Sequence, residues 1–325
     1  MSPTASILAE LLPVFVLVAL GAVFGATGFL GERAVEGLKK LISSVALPAV
    51  LFGAFARVRV DAALLGIASA VFLSCAFLGV VGAAYAKLAR LPRPSTVFLF
   101  QGFEAGMLGY ALFASLFGER HLSAFATADL GQVVFVFTAL MAQLLAASGT
   151  AAPRVLLRRM ATSPAMIAIA AGLLSAVLFP LARSAPWGEG GVLAPLVRTV
   201  ASLTTPLVCL VVGWGLKDFR GRGAGKAVAA VSGRLAAAVL LGSAVAFVLV
   251  PALGYGRIQS FATLALFVLP PPFVIPVFRS EGDAAYVSAV LSLHTLVSIA
   301  AFVALAAFAG GAAPIGVGAS IGGGG

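Results

Sequence analysis

Charge is what this sequence has least of. Only 10% of its 325 residues are charged, and acids are scarcer than bases, 11 against 21. A soluble globular chain carries roughly a quarter charged residues. Here 61% are hydrophobic and the mean hydropathy is +1.12, so there is too little polar surface for a water-soluble fold. Histidine occurs twice and cysteine twice. His121 and His294 are far apart with no paired spacing, so a His-bearing zinc site is unsupported and no metal is expected. Cys75 and Cys209 each sit midway along an apolar run, where they read as small packing residues rather than a disulfide. No phosphate-binding glycine loop with a following lysine is present, and no Gly-x-Ser-x-Gly elbow, so ATP is not the expected energy source and the chain is read as a non-enzyme without cofactor. The net charge of +10 does not point to nucleic acid. The bases stand in short clusters between apolar runs, which is how membrane topology is written.

Apolar length is what the sequence has in abundance. At roughly 20 residues per span plus short loops, ten segments can be marked: about 5–29, 38–56, 62–89, 95–117, 122–147, 164–184, 192–216, 227–250, 258–279 and 285–309. The first has no Lys or Arg before it and reads as a transmembrane helix rather than a cleaved signal. Lys and Arg then set the sidedness. The odd-numbered loops hold Arg33, Lys39, Lys40, Lys87, Arg90, Arg93, Arg154, Arg158, Arg159, Lys217, Arg220, Arg222, Lys226, Arg234 and Arg279. The even-numbered loops hold Arg57, Arg59, Arg120, Arg183, Arg198 and Arg257. The positive-inside rule places the odd loops in the cytoplasm and both termini outside, for a multi-pass protein of the cell membrane. Arg234 lies inside an apolar segment, and is expected to snorkel back to the cytoplasmic interface.

The polar stretch at 148–163 divides the chain into two sets of five segments, 1–150 and 151–310, followed by a flexible Gly-rich tail at 311–325. An odd number of spans per half forces opposite topology on the second half, if the halves are related, as in many secondary transporters. The second segment of each half carries a mid-membrane proline, Pro48 and Pro206. The fourth segments are odder still. One reads Phe100-Gln-Gly-Phe-Glu-Ala-Gly-Met-Leu-Gly109, the other Leu269-Pro-Pro-Pro-Phe-Val-Ile-Pro276. Three consecutive prolines remove three backbone donors, so no continuous helix runs through Pro270, Pro271 and Pro272. Unwound backbone at membrane depth survives only inside protein or beside a watery cavity, and matched interruptions in two halves point to a transporter's binding site.

The passage Phe103-Glu-Ala-Gly-Met-Leu-Gly-Tyr-Ala-Leu112 resembles the Phe-Asn-Thr-Gly-x-x-Gly-x-Pro-Leu stretch of the auxin efflux carrier family, which includes bacterial malonate and malate permeases and plant PIN-type auxin exporters. Ala128-Asp-Leu-Gly-Gln132, Leu269-Pro-Pro-Pro-Phe-Val-Ile-Pro276 and Ser292-Leu-His-Thr-Leu296 are similar to its fifth, ninth and tenth spans. The resemblance implies ten transmembrane helices in an inverted five-plus-five repeat, broken helices 4 and 9 that cross, and an elevator-like motion of a transport domain against a scaffold. Glu104 stands where the family usually has an amide, and Ala111 where it usually has proline.

The candidate substrate-binding residues are therefore Gln101, Glu104, Gly106, Gly109, Pro270, Pro271, Pro272, Phe273 and Pro276. A mid-membrane carboxylate is costly and marks a functional site, so Glu104 is read as a proton or cation site, against a structural reading in which it caps unwound backbone. Gln101 lines the same cavity or makes a packing hydrogen bond. Asp129 and Gln132, three residues apart on one helix face, are coupling ligands or a satisfied structural pair. Ser288, Ser292 and Thr295 form one stripe on the tenth segment, with His294 and Ser298 beside it; these are substrate ligands, a proton relay in the case of His294, or interhelical glue. The expectation is a secondary active transporter of a small organic anion, such as a carboxylate or auxin-like acid, in symport with H⁺ or Na⁺. Its partners are that anion and the lipid bilayer, with a homodimer left open. Against it stand a cation transporter or proton antiporter built on Glu104, a ligand sensor without transport, and a channel.

Overall fold

In the computed structural model, residues 3–148, 158, 161–179, 186–188, 191–215, 224–278 and 283–311 are described. Among them the chain is helical, without a strand. The helices are α1 (Pro3–Thr27), α2 (Glu32–Phe55), α3 (Ala62–Leu88), α4 (Arg93–Phe100), α5 (Ala105–Phe117), α6 (Glu119–Ala147), α7 (Pro164–Leu178), α8 (Ala194–Gly215), α9 (Gly225–Ala252), α10 (Arg257–Phe267) and α11 (Ala284–Gly311). Six of them (α2, α3, α6, α8, α9 and α11) are long and apolar enough to cross a membrane, or seven crossings if α4 and α5, bent by 42°, count as one. Leu12–Thr27 and α7 are shorter apolar helices, and α10 stops at the proline run. This all-helical architecture is that of a multi-pass membrane protein. Most of the 148–163 junction, the tail from 312 onward, and Arg154, Arg159, Arg183, Lys217, Arg220, Arg222 and Arg279 lie outside the described residues.

The faces of α3 show what solvent the sequence was written for. Leu65, Leu73, Phe77 and Val80 are each more than half exposed, while Ile67, Val71, Cys75 and Leu78 are fully buried. The exposed stripe, spaced three, four and eight residues apart, is apolar, and suits lipid rather than water. Helix contacts inside a bilayer rest on close packing rather than on a hydrophobic driving force, and glycines supply it. Between α1 and α8, a Cβ at Gly21 would lie 2.2 Å from the Leu210 carbonyl oxygen and one at Gly213 would lie 2.0 Å from that of Val18. Only hydrogen fits there.

Pro48 and Pro206, read from the sequence as helix breaks, each lie within one helix that continues through a local irregularity. Pro48 cannot donate to the carbonyl four residues back, and α2 widens into a π turn over Ile42–Ala46. The clash of Pro206 with Ser202 coincides with a turn at Leu203 within α8.

Most helix contacts fall within two groups, with α2 also meeting α6 and α1 meeting α11 across them. One holds α1, α2, α7 and α8; the other holds α3, α4, α6, α9, α10 and α11. Helix α5 touches both, meeting α1 and α8 on one side and α6 and α11 on the other. In the second group, a Cβ on Gly82 of α3 would lie 2.7 Å from the Cβ of Phe100, the last residue of α4. Gly242 of α9 stands in the same relation, at 2.6 Å, to Phe267, the last residue of α10.

Candidate functional site

The two interruptions touch. Backbone from Gln101 to Glu104 is non-helical, and so is backbone from Val268 to Val274. Gly102 turns the first break with φ +66°, where a side chain would be strained and its Cβ would lie 3.0 Å from Pro272 Cγ. The Glu104 amide donates to the Pro270 carbonyl at 2.8 Å, and a Cβ on Gly109 would lie 2.7 Å from Leu269 Cδ1.

Each break leaves backbone groups that a continuous helix would have paired four residues apart, and at membrane depth each needs a partner. Four side chains supply them. In the first break, the Met107 amide would have bonded the Phe103 carbonyl. Instead Met107 donates to Glu104 Oε1 at 3.1 Å, and Gln132 donates its Nε2 to the Phe103 carbonyl. In the second, the Phe273 amide would have bonded the Leu269 carbonyl. Phe273 donates to Glu104 Oε2 at 2.6 Å, and Arg234 Nη1 donates to Leu269 at 2.8 Å. The Val268 carbonyl, whose helical donor would be Pro272, accepts from Ser298 Oγ at 2.7 Å. Arg234 Nη2 donates to the Gly102 carbonyl at 2.7 Å. A single carboxylate thus ties one amide from each side of the crossing, Met107 just beyond the first break and Phe273 within the second, and a single guanidinium ties one carbonyl from within each break. Bonds to charged groups contribute about 1.5–3 kcal/mol each.

Arg234 corrects the sequence reading. It does not snorkel: the residue is 0% exposed, lies under the Phe103 ring at 5.2 Å from its centroid, and has Nη1 3.3 Å from the His294 ring nitrogens. The signal was its depth. Nine residues beyond Gly225, at 1.5 Å per residue, it sits about 14 Å into a core about 30 Å thick.

The remaining candidates separate. Glu104 is half-buried and makes the capping contacts of its structural reading. Gly106 packs Leu47 of α2 within 3.4 Å of where its Cβ would be. Pro271 and Pro272 are buried and Pro276 is half-buried in the turn Ile275–Phe278. Gln101, the first residue of the break, makes the packing hydrogen bond of its second reading: its Nε2 donates to Gln143 Oε1 at 3.1 Å, and its amide fills the space beside Gly79. Asp129, 1% exposed, accepts from the Tyr110 hydroxyl at 3.1 Å, and its Oδ1 has no partner among the described residues. Thr295 bonds its own helix at Leu291, and Ser288 and Ser292 are half-buried. Arg234, Tyr110 and Gln143 are the participants that sequence reasoning did not place here.

A cleft of about 780 Å³, counted to its open mouth, lies where the two helix groups meet. Phe52, Arg57, Tyr110, Arg198 and Thr204 are among its walls. Compared with known proteins, the chain matches no family model and no curated protein.

Proposed function

We propose that this chain is a secondary active transporter of a small organic anion, a carboxylate or auxin-like acid, and that it belongs with the auxin efflux carriers its motifs resemble. The observation that carries the reading is the pair of touching helix breaks, cross-tied by Glu104 and Arg234. Broken helices at membrane depth are where secondary transporters hold substrate and coupling ion. The chain is read as ten crossings in an inverted five-plus-five repeat. In support, each half contributes its first two segments to one helix group and most of its last three to the other, α5 bridging the two, and the Gly82–Phe100 and Gly242–Phe267 contacts are counterparts. The group with the breaks is the moving body, the other the scaffold, and the cleft between them is the approach from outside. Arg57, in a loop assigned to that side, and Arg198, near the start of α8 on the same side, stand in its wall. Both termini lie outside the cytoplasm.

Glu104 gives the coupling. Its carboxylate holds the two backbone amides that a substrate carboxylate would take. Neutralised by a proton, Glu104 loses its hold on them and its repulsion of an anion, and the substrate enters with the proton. The same occupancy favours one other reading, a cation transporter or proton antiporter in which Glu104 is itself the ligand.

A thermal-shift screen of carboxylates and organic amines, at acidic and neutral pH, with and without Na⁺, decides between them. Symport predicts stabilisation by a carboxylate, larger at the acidic pH because the protonated site is the one that accepts the anion. Stabilisation by amines alone, larger at neutral pH, would establish the cation reading instead.

A further inference from the structure

We propose that Arg234 is a tethered cation standing where a crossover transporter would hold a coupling sodium ion, so that sodium does not bind at this crossover. Its bearing on coupling rests on the transport reading above; the caging of the cation does not. Unwound carbonyls and the C-terminal ends of half-helices are the groups that coordinate Na⁺ in broken-helix transporters. Here two such carbonyls, Gly102 just after α4 and Leu269 just after α10, converge from opposite breaks on one guanidinium, at 2.7 and 2.8 Å. The face of Phe103 and the His294 ring also lie against this fully buried charge, whose Nε has no hydrogen-bond partner among the described residues. The negative ends of both helix dipoles point at it. A sodium ion reaching these oxygens would have to displace a like charge held covalently beside them. Arg234 therefore does for the two breaks what a bound ion would do, but permanently, and proton coupling through Glu104 is what remains. Arg234 is a positioning residue: it sets the crossing geometry and excludes the competing ion.

The test uses the purified full-length chain. Saturable ²²Na⁺ binding is measured, and unfolding temperature is compared in NaCl and in choline chloride at equal ionic strength, for wild type, Arg234→Ala and Arg234→Lys. Methylguanidinium at low millimolar concentration is then added, with urea as its uncharged control. Wild type is expected to bind no ²²Na⁺ and to unfold at the same temperature in both salts. Arg234→Ala should unfold about 10 °C lower, as removal of one partner from a buried charged network does, and methylguanidinium, but not urea, should restore it. Arg234→Lys, which keeps the charge without the fork that spans two carbonyls, should unfold between the two and stay indifferent to sodium. If the alanine variant cannot be purified, the wild-type and lysine arms still decide. Saturable sodium binding by wild type or by Arg234→Lys, or an alanine variant that methylguanidinium fails to restore, overturns the proposal. None of these measurements needs a substrate, so absence of transport would defeat the functional reading and leave the caged cation standing.

Discussion

Glu104→Gln is expected to retain anion binding, to make that binding independent of pH, and to abolish uptake driven by a proton gradient. Glutamine is nearly isosteric with the protonated acid, and it cannot exchange a proton. It also cannot satisfy both amides: its Oε1 accepts from Met107 or from Phe273, while its Nε2 turns a donor toward the other. One amide is left open for a substrate carboxylate, at a stability cost of about 1–3 kcal/mol for the unpaired group. Binding and gradient-driven uptake, measured side by side in proteoliposomes, separate the readings. Exchange of bound anion across the membrane should survive while net driven uptake is lost. If Glu104 is instead the counter-charge of a cationic substrate, the variant should bind nothing. Unchanged, still-coupled anion uptake would remove Glu104 from the mechanism.

Replacing Pro270, Pro271 and Pro272 together with alanine should leave membrane insertion normal and eliminate substrate binding. Each proline inside a helix costs about 3 kcal/mol relative to alanine, so the triple variant lets a continuous helix compete with the unwound form. That helix would pair the Phe273 amide with the Leu269 carbonyl. Glu104 and Arg234 would both lose a ligand by that one rearrangement, because those are the groups they hold. It would also return a donor at position 272 to the Val268 carbonyl and displace Ser298. Expression and thermal shift by carboxylates are the two readouts. A well-expressed triple variant that binds and transports as wild type does would show that the crossover is not the site.

The breaks were legible because their causes are local. Three prolines in a row, or three glycines around an acid in an apolar run, state their conformation without help from the rest of the fold. That Gln132 shares a helix face with Asp129 was also legible from their spacing, but not that this face meets the first break. The partners of the orphaned groups were not. Glu104 finds Phe273 across 169 residues, and Arg234 finds Gly102 across 132; no periodicity carries information over such distances. Gln101 makes the packing hydrogen bond of its second reading, a choice the sequence left open for the same reason. Its neighbour in sequence is the break, but its neighbours in space are Gly79 and Gln143. Arg234 misled because a lone base in an apolar segment reads first as a topology signal, and only its depth distinguishes a cation that reaches the interface from one that stays.

The measurement that tests the transport account most directly is uptake of a radiolabelled carboxylate, chosen from the stabilising compounds, into proteoliposomes of the wild-type chain under an imposed proton gradient. The account predicts flux that saturates with concentration, accumulates the anion above its external level, collapses with a protonophore, and is unchanged when choline replaces sodium. Flux that rises linearly and never exceeds the external concentration would contradict it, as would no flux at all from a folded, carboxylate-binding preparation.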